Sequence, residues 1–395
     1  MRIRTLRAVG WRNLAPLALD LHPGGGLTVL YGDNGQGKTN VVEAIHYLAT
    51  FRSFRTTRAA DLVQVGATDA RVGIDVETKD LVRSVEVRLL LGESRPDPGG
   101  GAAAARTATR TIRLDSKPVR GVAPAFGVVS VVLFVPEDLL LIRAAPAARR
   151  RFLDMAISGV EPAYFGEAAA FQRILRTRNA VLRAHRPPGG SGVLLDTYDE
   201  QLAQAGARVV SRRRQLVTAL LPDVERTFRA LHADLPVALR YESDASVSGM
   251  VAEEDVQSAL RAGLRRRRGV DERRGHTTFG PHTDDLEILL SGRPAREHAS
   301  QGQMRSLVLA MKLAELAHVE ERRGETPVLL LDDVPSELDP TRRRYLFETL
   351  GRLPCQTLVS VADPAVVPAV AGRVDFRVEA GHLKGVPIFP LQTDP

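Results

Sequence analysis

Cysteine is almost missing from this sequence, whose 395 residues contain only Cys355. A single cysteine excludes an internal disulfide framework and is compatible with a reducing compartment. Long apolar runs are also missing, because the best candidate, VVSVVLFV at 128–135, is far shorter than the ~20 residues that span a bilayer. A signal peptide has a charged segment followed by an apolar one, and this sequence does not begin with that pattern. We therefore expect a cytoplasmic protein without a membrane partner.

Positive charge is present mainly as arginine and is unevenly distributed. The formal net charge is +7 and the pI is about 9.9, which indicates an anionic partner. A GC-rich genome would also enrich arginine, alanine and glycine without selection for binding. Clusters at 149–152, 173–186, 212–214 and 265–268 concentrate in the middle of the chain, and this favours a nucleic-acid surface there. Arg150, Arg176 and Arg213 are the candidate DNA contacts.

A phosphate-binding loop is predicted at YGDNGQGKT, 31–39. The pattern G-x-x-x-x-G-K-T supplies backbone N–H groups for phosphates, a lysine for the β- and γ-phosphates and a hydroxyl for Mg²⁺. An apolar strand precedes the loop and a helical pattern follows it, so that the phosphate lies at a helix N-terminus. The predicted nucleotide-binding residues are Gly32, Asp33, Asn34, Gly35, Gln36, Gly37, Lys38 and Thr39.

An acidic strand end follows far downstream, in TPVLLLDDVPSELD at 326–339. Its apolar run predicts a buried parallel strand. At the end of that strand, Asp332 is placed to hold Mg²⁺ through water, opposite Thr39. The adjacent Asp333 is the candidate that orients the attacking water. We therefore predict catalytic roles for Asp332, Asp333 and Lys38, with Thr39 and Asp332 as the metal residues.

A second candidate anion site lies at SQGQMRSLVLAMKLAELA, 300–317. Ser300, Gln301, Gly302 and Gln303 come directly before a strongly helical stretch, where hydroxyl, amide and backbone groups surround a helix N-terminus. One interpretation is an ordinary helix cap. The other is that these residues complete the nucleotide site of a different subunit, because this chain already has a phosphate loop of its own.

The order of patterns predicts a split architecture. Strand-like segments fill the first ~135 residues, and a helical, Arg- and Ala-rich region extends over ~144–232. RPPGGSG at 186–192 divides that region into two long helices that we expect to pack as a hairpin. The Gly/Ala/Pro-rich stretch at 92–107 predicts a flexible surface loop. We expect ATPase segments at 1–140 and 276–395, and an inserted helical, Arg-rich domain at 141–275.

Five segments together resemble the bacterial RecF family: NGQGKTNVVEAIHYLATFRSFR, PEDLLLIRAAPAARRRFLD, FGPHTDDL, SQGQMRSLVLAMKLAE and LLLDDVPSELD. The resemblance spans essentially the whole chain. It implies an α/β fold, namely an ABC-type P-loop ATPase domain of the SMC and Rad50 class with an inserted, mainly helical second domain. It also implies an ATP-dependent DNA-binding protein that acts in recombinational repair.

The resemblance further implies the cofactors ATP and Mg²⁺, a homodimer formed on ATP, and weak DNA-stimulated hydrolysis. Gapped or junction DNA would be bound, and RecR and RecO would be partners in loading RecA, in support of replication after damage and of SOS induction. Ser300 to Gln303 would meet the γ-phosphate across the dimer, with Asp339 near that seam.

Departures from the family pattern concern four places. GPHRDD is here GPHTDD, so Thr283 replaces a positive charge, and Pro335 is unexpected within DDVPSELD. Pro136, Glu137 and Asp138 occupy the region where cassette ATPases carry a sensing glutamine. After the last apolar run, where transporters carry a histidine, the chain offers Ser360 and Asp363.

Three other classes of protein fit the sequence less well. A transporter cassette would have a shorter gap between the phosphate loop and 300–303. A small-molecule kinase or nucleotidase would leave the 300–303 segment and the arginine clusters without a role. A scaffold that uses ATP only as a structural ligand would not need the paired carboxylates Asp332 and Asp333.

Overall fold

The computed structural model describes residues 1–21, 26–78, 81–92, 107–184, 192–232 and 235–386. The chain forms two compact units: unit one is Met1–Glu137 with Val319–Pro395, and unit two is Asp138–His318. Most of the predicted loop at 92–107 and of the predicted break at 186–192 lies outside the described residues.

The secondary structure of the described residues is as follows. The strands are β1 (Arg2–Val9), β2 (Leu17–Asp20), β3 (Leu27–Tyr31), β4 (Asp69–Glu77), β5 (Val82–Leu91), β6 (Ala108–Leu114), β7 (Lys117–Val119), β8 (Val131–Phe134), β9 (Val237–Glu242), β10 (Asp285–Leu290), β11 (Arg293–Pro294), β12 (Val328–Asp332), β13 (Thr357–Val361), β14 (Val374–Glu379) and β15 (His382–Val386). The helices are α1 (Lys38–Thr50), α2 (Leu140–Arg143), α3 (Pro146–Val160), α4 (Pro162–Arg183), α5 (Gly192–Leu231), α6 (Ala245–Ser248), α7 (Glu253–Arg274), α8 (Ala295–His298), α9 (Gln301–Arg323), α10 (Val334–Glu337) and α11 (Pro340–Gly351).

Unit one contains a largely parallel sheet of order β15-β14-β3-β13-β12-β8. Five of its strands run parallel, and β15 pairs antiparallel with β14. Every residue of β12 and β13 is buried, which is the pattern of strands covered on both faces. The carboxyl ends of β3, β12 and β13 therefore share one edge of the sheet.

The second sheet of unit one is antiparallel, with the order β2-β1-β4-β5-β6-β7. Buried and exposed residues alternate along β1 and β5, as expected for strands with one face toward a core. A side chain joins the start of β1 to the residue before β13. The Gln356 amide accepts from the Ile3 N–H at 2.6 Å and donates to the Ile3 carbonyl at 3.0 Å, as a strand backbone would.

Unit two is mainly helical. Helix α5 has 40 residues, about 60 Å at 1.5 Å per residue, and it packs against α3, α4 and α7. The predicted pair of long helices is thus present as α4 and α5, within a larger bundle. Unit two also contains a small antiparallel sheet, β11-β10-β9.

The unit boundary at His318 differs from the predicted domain boundary at 275. Leu286, Ile288 and Leu290 of β10, with Met304 and Leu307 of α9, belong to the hydrophobic core of unit two. That shared core explains why 276–318 groups with the helices. Among the described residues, no helix combines the length and apolar character needed to cross a membrane.

Candidate functional site

The phosphate loop connects β3 to α1 in unit one, as predicted. Gly32, Gly35 and Gly37 all have positive φ angles, of 144°, 81° and 117°. At Gly32 a Cβ atom would lie 2.4 Å from the Val378 carbonyl oxygen of β14, so no larger residue fits there. The loop backbone therefore lies directly against β14, and the loop leads into the N-terminus of α1, a helix end that favours a phosphate.

Lys38 lies inside this loop. Its ammonium group donates to the carbonyl oxygens of Gly32 at 2.6 Å and Asp33 at 2.9 Å. Burial lowers the pKa of Lys38, and the charges of Asp333, Asp332 and Asp33 act in the opposite direction. The lysine is thus a partly desolvated cation next to the cradle, a suitable partner for a phosphate oxygen.

Thr39 and Asp332 meet although they are nearly 300 positions apart in the sequence. The Thr39 hydroxyl donates to Oδ1 of Asp332 at 3.0 Å. The Ser360 hydroxyl, opposite Asp332 in the β12–β13 pair, donates to the same oxygen. Burial raises the pKa of Asp332, and the neighbouring charges of Asp333 and Glu137 raise it further. A buried carboxylate among other carboxylates is the environment that a cation would stabilise.

This donor set fits Mg²⁺ bound together with a nucleotide. Mg²⁺ at such sites takes one or two protein oxygens and completes its shell with phosphates and water. Thr39 and Asp332 provide two such oxygens. Over the described ranges of the chain, no group of three or more His, Cys, Asp or Glu side chains could hold a metal ion by itself.

Asp333 has an unusual environment. Its backbone is left-handed, with φ of 55°, and its N–H donates to the Ser360 carbonyl at 2.9 Å. Its side-chain Oδ1 is buried and has no hydrogen-bond partner among the described residues. A buried acceptor without a partner is costly unless a donor such as water occupies the site. This fits the role predicted for Asp333, which is to accept a hydrogen bond from an attacking water.

Residues outside the recognised motif hold the loop from its outer side. Asn13 donates from Nδ2 to the Gly35 carbonyl at 3.0 Å and accepts from Asn40 Nδ2 at 2.6 Å. The Ala380 N–H donates to the Gln36 side-chain oxygen at 2.6 Å, and the Gly381 N–H donates to the Gln36 carbonyl at 2.9 Å. Sequence reasoning missed Asn13, Ala380 and Gly381, because no local signal links them to the loop.

A buried carboxylate anchors helix α1. Glu43 is 0% exposed and accepts from Nε and Nη2 along one edge of the Arg12 guanidinium, at 2.8 and 2.7 Å, and from the Ser53 hydroxyl at 2.5 Å. Buried charges need such partners. Sequence reasoning also missed this contact, which fixes the helix on which Lys38 and Thr39 lie.

The segment Ser300 to Gln303 lies in unit two, at the start of α9. The Ser300 N–H donates to the Gln303 side-chain oxygen at 2.8 Å, and the Gln303 N–H donates to the Ser300 hydroxyl at 3.2 Å. This reciprocal pair is a capping box. The helix-cap interpretation therefore describes this conformation, and a contact of Ser300, Gln301, Gly302 and Gln303 with another subunit stays a prediction.

Asp339 and Pro335 both have local structural roles in unit one. The Asp339 carboxylate accepts from the N–H groups of Thr341 and Arg342 at 3.0 and 3.1 Å and so caps α11. Pro335 lies in the first turn of α10, where a missing N–H costs little, so the unexpected proline is compatible with the fold.

The structure corrects the prediction that Arg213 contacts DNA. Its side chain is 3% exposed and pairs with Asp154 at 2.8 Å, and it also donates to the Pro281 carbonyl at 2.7 Å. Arg150 is half-buried and donates to the Asp284 carbonyl. Arg176 alone of the three candidates is exposed. Sequence clusters cannot separate arginines that pair internally from those that face solvent.

Thr283 takes part in local structure at the GPHTDD segment. Its hydroxyl donates to the Gly280 carbonyl at 2.8 Å. The next residue, Asp284, accepts from the Tyr241 hydroxyl at 2.7 Å, and burial raises the pKa of Asp284 to about 6. The GPHTDD segment is thus a packed polar element of unit two.

Comparisons with known proteins agree on one family. The family described as "AAA domain" matches residues 5–118. The DNA replication and repair protein RecF of Anaeromyxobacter sp. (strain Fw109-5) is 40% identical over 96% of this chain and 98% of its own length. RecF of Myxococcus xanthus (strain DK1622) is 38% identical over 94% of this chain and 93% of its own.

Solved structures give the same result. The recombination mediator protein RecF-ATP of the RecFOR pathway matches with a TM-score of 0.86 and 28% identity, over 98% of this chain and 97% of that chain. An SMC head bound to the C-terminal winged-helix domain of ScpA matches with a TM-score of 0.54 and 16% identity, over 98% and 97% of the two chains. The second likeness concerns the fold alone, and it agrees with the predicted SMC-like α/β architecture.

Proposed function

This chain belongs to the RecF family of DNA replication and repair proteins, and we propose that it is an ATP-dependent DNA-binding protein that dimerises on ATP. It would act in the cytoplasm at gapped or junction DNA and help to load a recombinase during recombinational repair, replication restart and SOS induction. One observation carries the proposal. Thr39 of the phosphate loop and Asp332 of the acidic strand, far apart in sequence, meet at 3.0 Å beside Lys38. The transporter alternative has no support among the relatives reported above.

The residues of the site divide the work of binding. The N–H groups of the loop from Gly32 to Thr39 would hold the phosphates, and Lys38 would exchange its bonds to Gly32 and Asp33 for phosphate oxygens. Thr39 and Asp332 would hold Mg²⁺, whose chemistry when bound is to neutralise charge on the β- and γ-phosphates. Ser360 fixes the orientation of the Asp332 carboxylate by its hydrogen bond.

Asp333 is the proposed group for hydrolysis. Its unpartnered Oδ1 would accept a hydrogen bond from the attacking water and orient it. Related ATPases usually carry glutamate here, and aspartate is one methylene shorter, so it would position the water less well. Hydrolysis, which DNA would stimulate, would open the dimer, and weak hydrolysis would therefore prolong the closed state.

Ser300 to Gln303 would contact the nucleotide of a second copy of the chain. The position of this segment at the start of α9 supports this proposal, because a helix N-terminus presents N–H groups to an anion. On binding, Ser300 and Gln303 would exchange their mutual capping bonds for the nucleotide. Asp339 would lie near the same seam. RecR, RecO and RecA would be the protein partners, as the RecFOR setting of the solved relative suggests.

The test is ATP-dependent dimerisation, measured by size-exclusion chromatography with light scattering, with and without gapped duplex DNA. Lys38→Met should abolish nucleotide-dependent dimerisation and DNA retention while the protein remains folded. Lys384→Met is a matched control, because Lys384 is exposed on β15 and pairs only weakly with Glu379 at 3.4 Å. Dimerisation of the Lys38 variant on ATP would contradict the proposed role of the loop.

A further inference from the structure

Two consecutive backbone carbonyls on the outer side of the phosphate loop accept hydrogen bonds from neighbouring segments. The Gly35 carbonyl accepts from Asn13 Nδ2 at 3.0 Å, and the Gln36 carbonyl accepts from the Gly381 N–H at 2.9 Å. Asn13 follows β1, and Gly381 lies in the turn between β14 and β15. Two consecutive peptide groups of the loop are therefore held by segments from opposite ends of the chain.

Holding a carbonyl also sets the direction of the next N–H. In a planar trans peptide the C=O of one residue and the N–H of the following residue point in opposite directions. The bond from Asn13 to the Gly35 carbonyl therefore directs the Gln36 N–H away from Asn13. The bond from Gly381 likewise directs the Gly37 N–H away from the hairpin. These N–H groups are among those that cradle phosphates in this kind of loop.

The hairpin turn is built for this contact. Glu379, the last residue of β14, pairs with His382, the first residue of β15. Ala380 and Gly381 therefore form a two-residue turn, and their φ angles are positive, at 48° and 79°. Such a turn leaves the N–H groups of its two central residues outside the strand ladder. Both point at the loop: Ala380 donates to the Gln36 side-chain oxygen at 2.6 Å, and Gly381 donates to the Gln36 carbonyl.

Position 381 accepts only glycine on steric grounds. A Cβ atom there would lie 2.1 Å from the Asn13 carbonyl oxygen and 3.0 Å from the Ala15 nitrogen. The Gly381 carbonyl in turn accepts from the Ala15 N–H at 3.1 Å. The turn thus packs between the Asn13–Ala15 segment and the phosphate loop. Its contacts on both sides are with backbone atoms, which cannot move away as a flexible side chain could.

We propose that Asn13 and the Ala380–Gly381 turn are positioning residues for nucleotide binding, which aim the N–H groups of Gln36 and Gly37 at the phosphates. The proposal rests on the proposed ATP-binding role of the loop. The β14–β15 hairpin would then increase the affinity for the phosphates, in addition to forming part of the sheet.

The experiment compares Gly381→Ala with Gly385→Ala in the same hairpin. At Gly385 a Cβ atom would meet only the Phe376 ring, at 3.6 and 3.9 Å, which is ordinary contact. Binding of fluorescent ATP and ADP analogues is titrated at a temperature well below the Tm of each variant. We expect Gly381→Ala to weaken both nucleotides at least ~10-fold, and Gly385→Ala to bind within about twofold of wild type.

Asn13→Ala tests the other side of the loop and does not depend on how the Gly381 variant folds. Asn13 is exposed, and loss of its hydrogen bond to the Gly35 carbonyl predicts about three- to tenfold weaker binding of both nucleotides, with a raised KM for ATP and an unchanged kcat. Wild-type affinity in folded Asn13→Ala overturns the inference, as does a defect confined to ATP. If wild-type protein itself binds no nucleotide, the proposed function fails instead.

Discussion

Replacing Asp332 with asparagine should move stability and nucleotide binding in opposite directions. The Asp332 side chain is buried, at 6% exposed, and burial raises its pKa, with Asp333 and Glu137 adding to the effect. Both hydrogen bonds that it accepts, from Thr39 and Ser360, end on Oδ1. An asparagine amide oxygen can accept the same two bonds, so the substitution removes the charge and keeps the contacts.

The sign and size follow from proton linkage. A carboxyl group whose pKa is raised by folding contributes stability below its unfolded pKa, and that contribution is lost as the pH rises through the folded pKa. At neutral pH the ionised Asp332 therefore lowers the free energy of unfolding, by about 1.4 kcal/mol for each pKa unit of difference. Asparagine should recover about 0.5–2 kcal/mol, at roughly 2–4 °C in Tm per kcal/mol for a unit of this size.

The assay is thermal unfolding of wild type and Asp332→Asn from about pH 4, close to the ordinary pKa of aspartate, to about pH 8, each with and without ATP and Mg²⁺. Without nucleotide the variant should have the higher Tm, and the gap should shrink as the pH falls through the folded pKa. With nucleotide only wild type should gain stability, because a neutral amide attracts a cation poorly. Glu348→Gln, on the exposed face of α11, controls for charge removal alone. A lower Tm of Asp332→Asn without nucleotide, or an equal gain on adding ATP, refutes this reasoning.

Three further predictions concern hydrolysis, dimerisation and DNA. Asp333→Asn should bind ATP and dimerise but hydrolyse ATP at least ~100-fold more slowly, which an assay of phosphate release measures. Normal turnover of this variant would mean that another residue is the base, and Glu337 would be tested next. Ser300→Arg should block dimerisation on ATP while monomer affinity stays near wild type, and Ser300→Asn, which retains the cap, should still dimerise; equal loss of monomer binding would contradict a role in trans. Arg176→Ala should lower the slope of log K against log salt on duplex DNA by about 0.9. Arg213→Ala should instead cost about 3 kcal/mol of stability, because Asp154 loses its buried partner, and leave that slope unchanged.

The parts of the site that sequence predicted are those with dense local patterns. The phosphate-loop motif is complete within the eight residues from Gly32 to Thr39. The apolar run before Asp332 predicts both the strand and the position of the carboxylate at its end. The SMC-like α/β fold and the RecF family follow from such segments in order, and the comparisons confirm both. Such short patterns can be recognised without knowledge of the tertiary fold, because the backbone of one short segment places the groups that bind the phosphate.

The parts that sequence did not predict depend on contacts between distant positions. Ser360 was noted only for its place after an apolar run, and its bond to Asp332 follows from the β12–β13 register. Gly381 contacts a loop some 345 positions earlier, with no local motif to announce it. Arg176 and Arg213 lie in similar arginine-rich surroundings, and only the fold separates the exposed side chain from the buried ion pair.

The strand order of the parallel sheet has a consequence for how the protein is made. β3, which leads into the phosphate loop, pairs only with β13 and β14 among the described strands, and both begin more than 300 residues after β3 in the sequence. At 5–20 residues per second, roughly 15–65 s of translation separate Tyr31 from the first residue of β13. During that interval both edges of the apolar strand β3 are unpaired on the ribosome-bound chain. Unit two is contiguous in sequence, so it can fold before β13 is synthesised. Prematurely terminated chains would therefore release an unpaired LTVLY edge, a substrate for chaperones and proteases rather than a partly active ATPase.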